Sequence, residues 1–570
     1  MAKETKEKKS IHLRFAVMCN GTVFQQWQVD ALKELKAHGH ELVLLIRDVR
    51  ENREIKHGRR IQKIKWSNFL FYYLEKRFFK PKVKNLVDIF KDLEGIDTLP
   101  CTVERLGYSE YFPSAEVEAI RMYGLDFILR FGFNIIRGDI LSAARFGVWS
   151  FHHDDELKYR GGPAGFWEIF DGDPVSGAIL QRLTDKLDGG IILKKGYIKT
   201  VMHSYKGNLH QLFSVTSSWP AQVADEILLF PADFVSSSET TAPVYKVPGN
   251  YHLIQFVLKL LWNRIRFYYK ELVAAEVWNV GLIQKPIHEV ALGPEILKKS
   301  DITWLRQFAR TKYLADPSGF IENGKLHILV EDYSYRRQKA NISEIIWDIN
   351  RDSFSVPIRI IEGDKHLSYP YIVRHQQMVY CVPESFRSSN ITLYYRNFSE
   401  EAFIEDHLLL DKVEAVDPTL FFHDGYWWLF FTIKKYSTTH LYIYYSNELK
   451  GRYEPHRRNP VKIDIRSARP AGTPFIYEGI LYRPAQDCSV TYGGRVVINK
   501  VLRLTTDEFV EQTIRVIDSV PGSPFDKGLH TMSQVGNYTL IDGKRYRINR
   551  FFFMSQLREK LNKQYPENGQ

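Results

Sequence analysis

The strongest constraint on the fold is a repeat in the second half of the chain. Residues 315–332 (ADPSGFIENGKLHILVED), 369–385 (YPYIVRHQQMVYCVPES), 416–432 (VDPTLFFHDGYWWLFFT) and 472–487 (GTPFIYEGILYRPAQD) share one plan. A proline (Pro317, Pro370, Pro418, Pro474) opens an outward strand, a polar turn follows, and an apolar-aromatic strand returns. The prolines recur at intervals of about fifty residues, the period of propeller blades. With a degenerate fifth copy from His530, the pattern predicts an all-β five-bladed propeller over 278–570.

The first half alternates differently. Residues 13–19 (LRFAVMC) read as a buried strand, 24–37 as a helix with apolar residues at helical spacing, and 41–46 as a second strand. The intervening turn holds one glycine, so it lacks the GxGxxG phosphate cradle and disfavours a nicotinamide cofactor. A helix over 114–123 and an apolar strand over 126–131 continue an alternation that suits a parallel sheet covered on both faces. Residues 59–91 read as a helical insertion with a solvated basic face, and Ser236 to Pro248 as a linker. The expected organisation is a disordered start (1–10), a Rossmann-like α/β domain (11–230), a linker with a connector helix (231–277) and the propeller.

Chemistry concentrates between Gly147 and Leu193. A strand over 148–151 delivers His152 and His153 at its end, followed by Asp154, Asp155 and Glu156. The turn Tyr159-Arg160-Gly161-Gly162-Pro163, a helix near 166–171, a strand near 178–183 and the acidic turn Leu187-Asp188-Gly189-Gly190 follow. Ligands bind at the carboxyl ends of strands in open α/β sheets, so His152 and Asp188 are expected to face one site. The plainer alternative makes His152 a satisfied core histidine and the acidic run a solvated loop. A metal at His152, His153, Asp154 and Asp155 is disfavoured because neighbouring strand residues point to opposite faces.

Composition narrows the classes further. The net charge of +11 is dispersed over 570 residues without an RNA-binding signature, which argues against nucleic acid as a partner. Four cysteines (Cys19, Cys101, Cys381, Cys488) lack disulfide-framework or zinc spacing, and the charged start lacks an apolar signal region, so a cytoplasmic, reducing location is expected. Residues 251–273 (YHLIQFVLKLLWNRIRFYYKELV) are interrupted by Lys259, Arg264 and Arg266, too often for a spanning helix. They read as a connector helix or as a basic amphipathic helix contacting a membrane surface.

The 147–193 stretch resembles the catalytic domain of folate-dependent formyltransferases, the group of methionyl-tRNA and sugar N-formyltransferases. The matching positions are Ser150-Phe151-His152, Tyr159-Arg160-Gly161-Gly162, Gly172-Asp173, Gly177 and Leu187-Asp188-Gly189-Gly190, within a resemblance covering roughly 11–230. It implies 10-formyltetrahydrofolate as cofactor, His152 and Asp188 as catalytic residues, and Phe131, Gly132, Phe133, Arg160 and Gly161 as cofactor-binding. Formyl transfer to an amine passes through a tetrahedral intermediate, so an imidazole manages the proton and a carboxylate fixes its tautomer. The family places an Asn at the developing oxyanion, where this chain has Ser150. That leaves the oxyanion site either rebuilt, with His153 as one option, or impaired.

The second half resembles the five-bladed propellers of glycoside hydrolase families 43, 32 and 68, and most closely the N-terminal domain of plant glucosamine inositolphosphorylceramide transferases. Ala315-Asp316-Pro317, Pro383-Glu384-Ser385, Val416-Asp417-Pro418-Thr419, Ala468-Arg469-Pro470 and Gln486-Asp487-Cys488 carry the resemblance. It implies a funnel holding Asp316, Asp417, Glu384, Arg469 and Asp487. Arg469 stands where the fourth blade would open on an acid, which disfavours simple hydrolysis, since hydrolysis needs paired carboxylates. Together the resemblances imply formyl transfer to an amino sugar beside a carbohydrate-binding propeller. The alternative is glycosyl transfer or hydrolysis by the propeller, with the first domain a scaffold.

Overall fold

The structure, a computed structural model, describes residues 12–50, 66–186, 189–230, 240–295, 297–349, 351, 353–397, 399, 401–548 and 552–553. Asp188, residues 1–10, 59–65 and 236–239 lie outside the described residues. The chain divides into two compact units, Met1–Arg264 and Ile265–Gln570.

The first unit is built on a seven-stranded sheet in the spatial order Ile191–Lys199, Val175–Arg182, Val148–His152, Phe127–Arg130, Arg14–Cys19, Glu41–Asp48, Asp97–Cys101. The last five strands pair in parallel and the first two add antiparallel. Burial explains the uninterrupted apolar run in Arg14–Cys19, whose residues after Arg14 are all buried. Helix Gln26–Ala37 buries Trp27, Val29, Ala31, Leu32 and Leu35, the stripe read from its spacing.

Two segments differ from their sequence reading. The described part of the basic insertion runs through short helical segments (Trp66–Asn68, Phe69–Leu74, Glu75–Phe79) that stop before Pro81, and it then enters a strand, Leu86–Asp88, paired with Val23–Gln25. Its basic face is not wholly solvated, since Lys84 lies over the Phe213 ring at 4.3 Å and burial pulls its pKa down. The described part of the linker is tied down: Val244–Tyr245 pairs with Arg160–Gly161, and Arg160 Nε donates to Ala242 O at 2.7 Å. That backbone pairing extends the compact unit past residue 230.

The second unit holds five antiparallel sheets in succession along the chain. One joins both ends of the unit, pairing Ala274–Ile283 with Tyr538–Ile548 and flanking them with Ile302–Trp304 and Met532–Val535. The degenerate copy expected at His530 is therefore completed by strands from the start of the unit, one of which begins at Ala274, inside the segment read as connector. The first strands of the next three sheets share a device. Each bulges at its proline, and the residue before that proline has a left-handed backbone: Asp316 φ 51°, Tyr369 φ 44°, Asp417 φ 51°. Such conformations cost energy and concentrate where a side chain must be aimed. At the fifth sheet Gly472 (φ 101°) sits where a Cβ would lie 2.1 Å from Met532 O, so only glycine fits the approach.

Helix Asn250–Val273 buries only Leu253 and Phe256 and exposes Tyr251, Ile254, Leu258, Leu261 and Trp262. No helix among the described residues is long and apolar enough to cross a membrane.

Candidate functional sites

In the first unit, the strand ends that carry Arg130 and His152 open on a cavity of about 440 Å³. Ser150, His152, Arg130, Phe133, Gln181 and Lys186 line it. Alternation puts Ser150 and His152 on one face of their strand, opposite Gln181 and Ile179 of the neighbouring strand. Phe133, at φ 63°, turns the chain over the end of Arg14–Cys19, where Phe131 N and Gly132 N both donate to Met18 O. Of the residues implied for the cofactor, Phe133 lines this cavity. Gly132 packs against Cys19 and Asn20. The Phe131 ring joins an aromatic cluster with Phe24, Trp27 and Phe151, and Arg160 and Gly161 lie along Val244–Tyr245.

The Ser150 hydroxyl oxygen accepts from Arg130 Nε at 3.1 Å and Nη2 at 2.8 Å. Arg130 Nη1 donates to Asn134 O at 2.8 Å and Phe133 O at 3.2 Å. Burial pulls the Arg130 pKa down, against the weak opposing pull of Glu110. His153 is turned away from this site: it packs on Phe213 at 4.0 Å and against Trp27 and Phe151, and its Nε2 meets Thr216 Oγ1 at 3.0 Å. Burial, then the Lys84 and His152 charges, hold its pKa well below the usual histidine range. His153 is thus an aromatic-core residue rather than the rebuilt oxyanion donor.

The acidic run is not a solvated loop. Asp154, Asp155 and Glu156 are buried; Asp154 caps Gly165 N at 3.0 Å, and Lys195 Nζ pairs with Glu156 at 2.6 Å. Burial pushes the Asp154 carboxyl up to about 7. Among the described residues, one His/Asp group brings three possible metal-ligand atoms together, and it is Asp316, His530 and Asp542 in the second unit, not the His152–Asp155 run.

In the second unit a separate cavity of about 330 Å³ is lined by Asp316, Glu331, Glu384, Arg469, His366 and Tyr492, among others. Three of the residues expected in the funnel, Asp316, Glu384 and Arg469, line it. Asp417 lies beneath, gripped by Arg469 through Nε–Oδ2 at 2.5 Å and Nη2–Oδ1 at 3.1 Å, with Gln486 Nε2 donating at 2.6 Å. Asp487 instead pairs with Arg495 at 2.8 Å and caps Ser489 N. The left-handed turn lets Asp417 N donate to Glu384 Oε2 at 2.9 Å. Burial and the Asp417 charge push the Glu384 carboxyl up to about 8 against the opposing Arg469 charge, which favours its protonated form.

Asp316 belongs to a buried relay. His530 Nε2 is 3.1 Å from Asp316 Oδ1, and His530 Nδ1 is 2.7 Å from Asp542 Oδ2. Although burial opposes it, Asp542 and then Asp316 hold the imidazole protonated well above its usual pKa. With a carboxylate oxygen close to each ring nitrogen, the trio is a buried ion network around Asp316. Sequence reading missed Glu331, His530 and Asp542. Register offered a signal for Glu331: it stands opposite Ala315 as Glu384 stands opposite Ser368, at the same place in the next repeat. Burial and then the Asp316 charge push Glu331 well above the usual carboxylate range.

Residues 303–524 match the family Glucosamine inositolphosphorylceramide transferase 1, N-terminal. The chain is 31% identical over 215 residues to Glucosamine inositolphosphorylceramide transferase 1 of Oryza sativa subsp. japonica, covering 36% of this chain and 28% of that protein. Over 98 residues it is 32% identical to methionyl-tRNA formyltransferase of Phenylobacterium zucineum, covering 17% of this chain and 32% of the relative. The chain thus spans about a third or less of the length of these relatives. Among solved structures it is similar to Zg3597, a family 117 glycoside hydrolase of Zobellia galactanivorans (TM-score 0.32, 13% identity, 48% of this chain, 91% of that chain). Another is glycinamide ribonucleotide transformylase 1 of Symbiobacterium toebii (TM-score 0.25, 16% identity, 37% of this chain, 86% of that chain). The curated relatives named here are both transferases by name, each matched over only part of this chain.

Proposed function

We propose that the first unit is a Rossmann-like formyltransferase that moves a formyl group from 10-formyltetrahydrofolate to the amino group of a sugar, and that the second is a five-bladed propeller that holds the glycan. The observation that carries the first part is the cavity that gathers His152, Ser150 and Arg130 at the carboxyl ends of adjacent strands. His152 takes the proton from the attacking amine, and Asp188 is the residue assigned to orient it. Incubation with 10-formyltetrahydrofolate and amino-sugar nucleotides is expected to release tetrahydrofolate; no turnover with any amine, together with no folate binding, would sink the reading.

A second reading places glycosyl transfer in the propeller, favoured by Glu384, a carboxyl pushed toward its protonated, proton-donating form in the cavity that Asp316 also lines. Glycosyl-transfer activity lost in Asp316→Asn and kept in His152→Ala would support it.

The exposed face of helix Asn250–Val273, with Arg264 and Arg266 exposed beside Leu258, Leu261 and Trp262, suits an anionic lipid surface. The plant relatives are named for inositolphosphorylceramide, a lipid. The protein is expected to sediment with phosphatidylserine-containing vesicles and not with phosphatidylcholine alone, and Trp262→Glu to abolish this. Absence of sedimentation with the anionic vesicles at low salt would refute it.

A further inference from the structure

Arg130 is a half-buried cation that has no ion-pair partner among the described residues. Its guanidinium makes four hydrogen bonds, all to uncharged oxygens: two to the Ser150 hydroxyl and one each to the carbonyls of Phe133 and Asn134. Glu110 acts on it only at a distance, because that carboxylate is bound by Arg50 at 2.8 Å and by Asn134 N at 2.8 Å. A guanidinium has five N–H groups, so one is left over. Ser150, whose oxygen already accepts twice, retains its own O–H to donate. Both groups line the cavity that also holds His152. Taking a charge even partly out of water beside neutral partners only is costly, and the cost falls where a negative charge comes to meet it.

We infer that Arg130 and Ser150 together form the oxyanion site of this cavity, Arg130 supplying the positive charge and the surplus N–H, Ser150 the second donor. The inference rests on the formyl-transfer reading and names the group that replaces the amide missing at Ser150. The amine nitrogen attacks the formyl carbon, and the C=O π electrons move onto oxygen, where Arg130 and Ser150 meet the charge. Collapse of the intermediate restores C=O and breaks the bond to folate N10. One proton passes from the amine through His152 to N10, so a C–N bond forms at the acceptor as one breaks at the folate. A charged donor in a partly dry site is a stronger electrophile than an amide, which makes the loss of Asn tolerable.

The test uses the full-length protein and formate, whose carboxylate mimics the oxyanion. Titration of ¹³C-formate by NMR is expected to saturate on wild type, to weaken on Arg130→Lys, and to be lost on Arg130→Met. In turnover assays Arg130→Met is expected to lower kcat by about 10²–10³-fold at unchanged folate Kd, and Arg130→Lys to recover part of it. Formate binding equal in wild type and Arg130→Met, or kcat in Arg130→Met within twofold of wild type, overturns the inference and leaves formyl transfer standing. A loss of kcat matched by an equal loss of folate affinity in both variants would assign Arg130 to holding the 131–134 turn and also overturns it. Formate binding through Arg130 in a wild-type protein that releases no tetrahydrofolate would retain the anion site and reject the formyl-transfer reading.

Discussion

His152→Ala is expected to lower kcat for tetrahydrofolate release by about 10²–10⁴-fold, the usual contribution of a positioned general base. The effect should fall on kcat and leave folate Kd within a few-fold, because the residues that line the pocket's walls, Phe133 and the neighbouring backbone, are untouched. Stability should change little: His152 ends its strand only partly buried, and its backbone pairing opposite Ile179 does not depend on the imidazole. The measurement is a steady-state assay of wild type and variant with a thermal melt on the same samples. A kcat within threefold of wild type would remove His152 from the reaction, and an early melt would mark it as a core histidine.

The second large effect concerns folding. Arg469→Met removes the bidentate partner of Asp417, a side chain that is 2% exposed, and leaves its carboxylate in the interior with Gln486 as its remaining side-chain donor. Breaking a buried pair from one side costs about 3–5 kcal/mol. In a unit of this size that amounts to a fall in melting temperature on the order of 10 °C. The double variant Asp417→Asn/Arg469→Met should recover much of the loss, because an amide in that site carries no charge to strand. Chemical denaturation of the three proteins measures the coupling. A single-variant cost below about 1 kcal/mol would show that the pair is solvated like a surface bridge.

The same pair illustrates where sequence reading stopped. Asp417 was legible as a repeat-opening carboxylate because Val416-Asp417-Pro418 recurs in pattern, and Arg469 because it stands where an acid was expected. That the two neutralise each other required knowing that chain segments 52 residues apart meet at one point. Likewise Asp154, Asp155 and Glu156 look like a solvated loop in one dimension. Gly177 shows why they are not: a Cβ there would lie 2.8 Å from Asp155 Cα, so the acidic run is pressed against the sheet.

The sequence by itself determined the alternation of strands and helix in the first unit, the proline-opened hairpins of the second, and the delivery of His152 at a strand end. These follow from periods of two, 3.6 and about fifty residues, which local chemistry imposes. Tertiary structure alone decided which charges meet. It set Arg130 against Ser150, turned His153 into an aromatic core, joined His530 to Asp316 and Asp542, and closed one sheet from both ends of the unit. The physical reason is that a buried charge must find its partner wherever the chain brings one, and that partner leaves no periodic trace in the sequence.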